Sequence, residues 1–371
     1  MTSDSSRRAR PDEHGCALEV RRGRELYENG QYDEARQAFE RAIDIQSDSL
    51  EAAAGLAKVL IVEGAYADAK DLYEAALNKG LEKSAEHLTN LAICYAFDGE
   101  REPARTLMEG AIAVNPLYEP AYGALARHCL IMGDYVAAER YASEGLRLFA
   151  RNVPCFEARA LARLSMLNLQ GAEADAHALL ELDPESVDGL LCKASVLVAR
   201  GKASEALAIL QRARTIDPQN AEVMLAQGAA HQLKNEAGAA ESLYRQAQEL
   251  EPQNWRIYQS LASLELFVGR NAQGLEDVET ALELHDAPSL HYLRGEFLTR
   301  LGRSAESQQE FAHATRDNPI DALSWIGLAE LEAQEPAARD IAKSHAEMAH
   351  ALDPTGPAGE RARELLRKLL T

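Results

Sequence analysis

The feature that most constrains this chain is a block of about 34 residues that recurs along it. The segments Leu182-Asp183-Pro184, Ile216-Asp217-Pro218 and Leu250-Glu251-Pro252 follow one another at that interval. Alignment on these ends divides the sequence into ten blocks, which begin at residues 16, 50, 85, 119, 153, 187, 221, 255, 288 and about 322. A period of roughly 20 to 50 residues is typical of repeat arrays, in which each block packs on its neighbours.

Small residues and turn residues show how one block folds. Glycines near the middle, such as Gly30, Gly64 and Gly133, divide a block into halves of about a dozen residues, an ordinary helix length. Prolines at the block ends stop one helix or open the next. The eighth place is always glycine or alanine: Gly23, Ala57, Ala92, Ala126, Ala160, Ala194, Gly228, Ala262, Gly295 and Ala329. Since small residues let two helix axes approach, the pattern predicts two antiparallel helices per block.

The pattern resembles the tetratricopeptide repeat family over almost the whole chain. The matching positions in the first two blocks are Gly23, Leu26, Gly30, Ala35, Phe39, Ala42, Leu56, Ala57, Gly64, Ala69, Tyr73 and Ala76. The resemblance implies an all-α, right-handed α-solenoid, or superhelix, of about ten tandem helix-turn-helix units. These matched positions are packing positions, so they indicate fold far more than function.

The repeat also predicts the boundaries of the chain's segments. Residues 1–15 are predicted to be a disordered tail, residues 16–355 the ten units, and residues 356–371 a C-terminal capping helix. Terminal repeats need such a cap because they expose an apolar face. A basic helix lying on a membrane, with Arg361, Arg363, Arg367 and Lys368, is the alternative for the last segment.

Net charge limits the classes of partner. The 39 basic and 59 acidic residues give a net charge of −20, which argues against nucleic acid and anionic lipid as partners. The longest apolar run, Val59 to Val62, is far shorter than the roughly 20 residues of a membrane-spanning helix, so we expect no membrane insertion. The five cysteines are scattered singly and read as reduced, which favours a cytoplasmic location.

No sequence motif indicates catalysis, a cofactor or a metal. The phosphate-binding, dinucleotide-binding, zinc-protease and hydrolase patterns are absent, so we expect no enzyme activity. Ten histidines are dispersed, and the late pair His345 and His350 would lie on different faces of a helix. We therefore expect no catalytic residue, no cofactor and no metal site.

The fifth and ninth blocks carry an arginine at the seventh place, Arg159 and Arg294. The fifth block departs further from the family pattern at Arg163 and at a weak turn near Leu167. We expect the stems of the two seventh-place arginines to lie on a neighbouring helix, with the guanidinium groups in water.

The family resemblance implies a concave groove, lined by the first helix of each unit, as the ligand-binding surface. Transferred place by place, it yields a candidate partner-binding set: Arg21, Arg24, Lys58, Asn90, Phe97, Arg127, Leu161, Leu191, Leu225 and Phe267. Its early part is basic and partly apolar, which favours a protein or peptide segment with acidic and apolar side chains. The plainer interpretation is that these basic residues only bridge neighbouring carboxylates.

The function predicted from the sequence is a non-catalytic interaction scaffold or adaptor that binds a partner segment in this groove. The alternative is a self-assembling, homo-oligomeric platform, chaperone or assembly factor of a bacterial secretion, pilus or envelope system. Only this alternative requires a mass that depends on concentration.

Overall fold

The computed structural model of this protein describes the backbone of residues 11–370 and the side chains of residues 14–369. Within this range the secondary structure consists of helices, with no β-strand. The chain divides into two compact units, Met1–Cys192 and Lys193–Thr371. Each unit is described by itself, and in each of them consecutive helices pack as antiparallel pairs.

In unit 1, the first helix of a pair follows a short connection and the second follows a tight turn. The helices of unit 1 are α1 (Pro11–Glu28), α2 (Tyr32–Ile45), α3 (Leu50–Val62), α4 (Tyr66–Asn78), α5 (Ala85–Phe97), α6 (Arg101–Val114), α7 (Glu119–Ile131), α8 (Tyr135–Leu148), α9 (Val153–Ser165) and α10 (Leu169–Leu182). Side-chain oxygens of Ser49, Ser84 and Asn152 accept hydrogen bonds from backbone N–H groups at the starts of α3, α5 and α9. These caps satisfy donors that a helix start leaves unpaired.

The unit boundary falls within α11 (Val187–Ala199), and the same alternation continues in unit 2. Its helices are α12 (Ala203–Ile216), α13 (Ala221–Leu233), α14 (Ala237–Leu250), α15 (Trp255–Val268), α16 (Asn271–Leu284), α17 (Pro288–Arg300), α18 (Ser304–Asp317), α19 (Ala322–Glu332), α20 (Arg339–Leu352) and α21 (Pro357–Leu370). A short 3₁₀ helix, Pro336–Ala338, precedes α20 and occupies the irregular stretch of the last predicted block. Asn220, Asn254 and Asp321 cap α13, α15 and α19.

The small residues at the eighth place serve the packing role predicted from the sequence. The ring of Phe39 lies between Gly23 and Gly55, where a Cβ atom would come within 2.8 Å and 2.2 Å of it. A side chain at either glycine would therefore displace a fully buried aromatic ring. The predicted all-α solenoid is confirmed: close helix pairs share a core built from neighbouring repeats.

The start of α1 differs from the predicted disordered tail. Residues 1–10 of that tail lie outside the described residues, whereas residues 11–15 belong to the first turns of α1. Proline is compatible with a first helical position, and Cys16 and Val20 anchor the helix in the core beside Phe39. The helix therefore begins ahead of the first predicted block.

At the other end, α21 packs against α19 and α20. Ala358 and Ala362 are fully buried against Ile326 and Ala346. Arg361 donates two hydrogen bonds to Glu330, at 3.0 Å and 2.6 Å. This helix thus covers the apolar surface of the last helix pair, the position that the predicted cap requires, and one of the basic residues of the membrane alternative is held in an ion pair.

Candidate partner-binding surface

Six candidate residues of unit 1, from Arg21 to Arg127, lie on α1, α3, α5 and α7, which together with α9 form one face. Each of these helices contacts the next one in the series, α1 with α3 and so on to α9. We call this surface the first-helix face of unit 1. Most of the predicted partner-binding residues are on it.

Three basic residues of the first-helix face are paired with carboxylates of the next first helices. Arg24 Nη2 lies 2.7 Å from Glu51 Oε2, and Lys58 Nζ lies 2.6 Å from Glu86 Oε1. Arg127 pairs with Glu157 at 3.3 Å. Arg21 is exposed and lies 3.9 Å from Glu25 in its own helix. Each positive charge thus has a carboxylate beside it, and the face is closer to neutral than its basic residues suggest.

Lys58 and Asn90 are also held by aromatic residues. The Lys58 ammonium lies 4.6 Å from the centroid of the Tyr27 ring, a cation–π contact. The Asn90 amide donates a 3.0 Å hydrogen bond to the Tyr73 hydroxyl. Burial of this hydroxyl, which outweighs the effect of the Asn90 bond, raises the pKa of Tyr73. Both polar candidates are therefore fixed in place before any partner binds.

Carboxylate Glu157 is the least solvated charge on this face. Its burial, reinforced by the nearby Asp188, raises the pKa of Glu157, and Arg127 only partly opposes this shift. A partner that covered the exposed Arg127 guanidinium would strengthen the pair by excluding water. The face can therefore respond to a partner through an existing ion pair.

A row of exposed apolar residues follows the C-terminal ends of α3, α5 and α7. It consists of Val62, Phe97 and Ile131, one residue per repeat. Phe97 is 64% exposed, and its ring stacks on Tyr66 with centroids 3.8 Å apart. Both rings line an open pocket that begins at the Gly64 turn. We call Val62, Phe97 and Ile131 the apolar row.

The remaining candidates are distributed differently. Leu161 is exposed on α9, and Leu191 is half-buried on α11. In unit 2, Phe267 is exposed at the end of α15. Leu225 is only 9% exposed because it packs in a core cluster with Ile257, so it is not available to a partner as predicted. Tyr66 was missed because it starts a second helix, whereas the family places lie on first helices.

The two seventh-place arginines also differ from the expectation that their guanidinium groups point into water. Arg159 binds Asp175, 16 residues later, through Nη2 at 2.6 Å and Nε at 3.1 Å. Arg163 adds a 2.8 Å hydrogen bond to the same carboxylate. The Asp175 side chain is 2% exposed, and we call these three residues the Asp175 cluster. A buried carboxylate requires this compensation, which explains why the arginines turn inward.

Arg294 makes the equivalent contact in unit 2. It binds Glu310, also 16 residues later, at 3.1 Å. Here the second cation is His291, whose Nδ1 lies 2.6 Å from Glu310 Oε2 and whose Nε2 lies 2.8 Å from Asp286 Oδ1. The His313 ring packs against the His291 ring, with centroids 3.9 Å apart. We call these five residues the Glu310 cluster.

Comparison with known proteins agrees with this architecture. Sequence profiles described as tetratricopeptide repeat match residues 26–89, 157–221 and 197–264. Protein CTR9 homolog of Arabidopsis thaliana is 26% identical over 219 residues, which are 54% of this chain and 19% of that protein. The chain thus spans well under two thirds of this relative's length.

One solved structure supports the fold, and a second is reported as similar. A tetratricopeptide repeat protein from Parabacteroides merdae is 18% identical with a TM-score of 0.50, over 67% of this chain and 98% of that chain. A chain of the APC/C hetero-tetramer Cut9-Hcn1 is 14% identical with a TM-score of 0.49, over 98% of this chain and 97% of that chain.

The chain belongs to the tetratricopeptide repeat family. Proteins of this family bind protein partners and are generally non-catalytic, so the fold is that of an interaction scaffold. Among residues 11–370, no helix is both long and apolar enough to span a bilayer.

Proposed function

We propose that this protein is a non-catalytic scaffold that binds a segment of a partner protein on the first-helix face of unit 1. The observation that carries the proposal is the apolar row, because Val62, Phe97 and Ile131 end neighbouring helices and stay exposed. Exposed apolar side chains that recur at one place on neighbouring helices are typical of an interaction site. Its spacing of one residue per repeat suits an extended or helical segment with apolar side chains at intervals.

The paired charges beside the apolar row support a specific orientation of the partner. Acidic side chains of a partner could bind Arg24, Lys58 or Arg127 only by competing with Glu51, Glu86 or Glu157. We therefore propose that the apolar row supplies most of the affinity, while the ion pairs select among partners and their orientations. The acidic component of the partner is secondary in this account.

The test compares surface variants as bait in affinity capture from the native lysate. Phe97→Ser with Ile131→Ser removes two exposed apolar side chains, and we expect at least a tenfold loss of captured partner. The matched control is Val136→Ser, since Val136 is similarly exposed but lies in the first turn of a second helix, α8. Capture that is equal in the double variant and the control would contradict the proposal.

A charge swap separates the role of the ion pairs. In Lys58→Glu with Glu86→Lys the pair is kept but its direction is reversed. We expect this variant still to capture the partner, with a smaller loss than the variant that carries Phe97→Ser and Ile131→Ser. We also expect the salt dependence of partner binding to change. Light scattering over a concentration series on the same samples identifies self-association, the alternative that the sequence left open.

We also propose a cytoplasmic location. Five free, buried cysteines are compatible with a reducing compartment, where disulfides rarely form. Fractionation of the source cells, followed by detection of the full chain, tests this location.

A further inference from the structure

We propose that Asp286, His291 and His313 form a binding site for a divalent transition-metal ion, with Zn²⁺ as the best fit. Asp286 lies in the connection between α16 and α17, His291 in α17 and His313 in α18. One ligand atom from each residue lies within 4.8 Å of the others. The proposal concerns unit 2 and is independent of the partner-binding surface.

The types of ligand favour Zn²⁺ over a hard cation. Two imidazoles and one carboxylate, with water in a fourth position, are a common set for Zn²⁺, whereas Mg²⁺ and Ca²⁺ prefer oxygen ligands. Ligand atoms of a four-coordinate zinc ion are about 3.4 Å apart, given bonds of about 2.0–2.1 Å. The 2.8 Å between His291 Nε2 and Asp286 Oδ1 must open to reach that spacing, whereas the widest separation, which is at most 4.8 Å, must close by no more than about 1.4 Å.

Glu310 prepares His291 to act as a ligand. Because Nδ1 of His291 donates to Glu310 Oε2 at 2.6 Å, the ring is held in one orientation with Nε2 directed towards Asp286. A carboxylate that accepts from the far nitrogen of a metal-binding histidine is the usual outer support of such a ligand. Arg294 fixes Glu310 in turn, at 3.1 Å.

An ion would enter between His291 Nε2 and Asp286 Oδ1, which lie 2.8 Å apart. Nδ1 of the same ring is occupied by Glu310, at 2.6 Å, so Nε2 is the nitrogen that this arrangement offers to an ion.

His313 must move for the site to close. Its ring packs against His291 at 31° between planes, so neither ring plane points at a shared ion. Its Nδ1 is buried without a hydrogen bond and lies 3.4 Å from Asp317. Rotation of the imidazole about its χ2 angle costs little at such a terminal torsion and can bring a nitrogen to the ion.

The surrounding charges favour a cation. Three carboxylates, Asp286, Glu310 and Asp317, face the two imidazoles, while Arg294 and Arg316 contribute the opposing positive charges. Bound metal would tie the α16–α17 connection to α17 and α18. The ion would therefore stabilise this helix pair, by an amount that grows with the logarithm of its concentration above the Kd.

The test is calorimetric titration of the full chain, without a histidine tag, with ZnCl₂ near neutral pH. We expect one saturating ion per chain. His291→Ala and His313→Ala should abolish saturable binding, and Glu310→Gln should weaken it by roughly 10- to 100-fold. His177→Ala is the control, because His177 is an exposed histidine paired with Glu181 in unit 1.

Asp286→Asn keeps the test valid if a helix variant misfolds. The Asp286 side chain is 70% exposed in a connection, so its replacement leaves the core intact, which circular dichroism checks. This variant should bind Zn²⁺ at least tenfold more weakly. The proposal is overturned if the wild-type chain shows no saturable binding, or if well-folded His291→Ala and His313→Ala bind as well as wild type.

Discussion

The Asp175 cluster of unit 1 and the Glu310 cluster of unit 2 occupy the same places in their repeats. In both, an arginine of a first helix reaches a carboxylate 16 residues later in the second helix. Both arginines also contact the preceding second helix: Arg159 donates to Ser143 and Arg294 to Glu279. The same arginine–carboxylate geometry therefore occurs in both units, and in each it pairs a charge on a first helix with a charge on a second helix.

The difference lies in the second cation. Asp175 is held by Arg163, which is charged at any ordinary pH, whereas Glu310 is held by His291, whose charge depends on pH. Asp175 is 2% exposed and Glu310 16% exposed, so the permanent cations accompany the deeper carboxylate. In these two clusters the deeper carboxylate is held by two arginines, whereas the shallower one is held by one arginine and one histidine.

The largest expected effect comes from removing the two carboxylates. Asp175→Asn leaves Arg159 partly buried without a carboxylate partner and leaves Arg163 with Glu139 alone, so we expect a loss of about 3 kcal/mol in unfolding free energy. Glu310→Gln should cost only about 1–2 kcal/mol, because His291 can release its proton and Arg294 keeps Glu279. Urea denaturation in the presence of a chelator measures both.

Hydrogen exchange localises these losses, since stability in repeat proteins is largely local. Faster exchange should concentrate in α8–α10 for Asp175→Asn and in α16–α18 for Glu310→Gln. If the two variants lost the same unfolding free energy, His291 would be as strong a partner for its carboxylate as Arg163 is.

Substitutions in the turns of the same two repeats should change stability by less, and in opposite directions in the two units. Leu167 and Gly302 both occupy the turn with positive φ, 58° and 77°. A leucine in this left-handed region costs roughly 1–2 kcal/mol, so Gly302→Leu should destabilise unit 2 by about that amount. Leu167→Gly should stabilise unit 1 by up to about 1 kcal/mol, because Leu167 is 79% exposed and loses little packing. Urea midpoints that shift the same way for both would refute this reading of the turns.

The sequence was sufficient to predict the fold because packing in a solenoid is periodic. The eighth-place rule reflects contacts such as that of Gly295 with the Phe311 ring, which would lie 2.7 Å from an added Cβ atom. Such contacts repeat at one spacing along the chain, so a single sequence reveals them. The start of α1 was less predictable, since its first turns precede the first repeat and lack the pattern.

The candidate site was only partly predictable. Place-by-place transfer found Phe97, but it could not indicate that Leu225 is buried or that Tyr66 stacks on Phe97 from the next helix. The Glu310 cluster was missed because Asp286, His291 and His313 lie on three elements and match no spacing within a helix. The sequence allowed the interpretation that the basic residues bridge neighbouring carboxylates, but it did not identify the individual pairs, since Arg24 and Glu51 are 27 residues apart. These features depend on side-chain direction, which periodicity does not determine.

The smallest expected effect is a pH dependence that only the Glu310 cluster should show. The pKa of His291 is raised in the folded chain, so its ion pairs stabilise the fold fully below the unfolded pKa of about 6.5. This contribution is lost as pH rises through the higher folded pKa. The pKa of Glu310 is lowered, since His291 and Arg294 outweigh the effect of burial, so its contribution is lost only in acid.

His291→Gln removes the titrating group at this cluster, and its effect should therefore shrink as pH rises. We expect a deficit of at most about 1 kcal/mol against wild type near pH 6, falling towards zero near pH 9, in urea denaturation with a chelator present. Arg163→Gln is the matched variant of the Asp175 cluster, and its deficit should stay constant over the same range because arginine does not titrate there. If His291→Gln lowered the unfolding free energy by the same amount at every pH, the histidine would act by packing alone. The two clusters would then not differ in having a partner whose charge depends on pH.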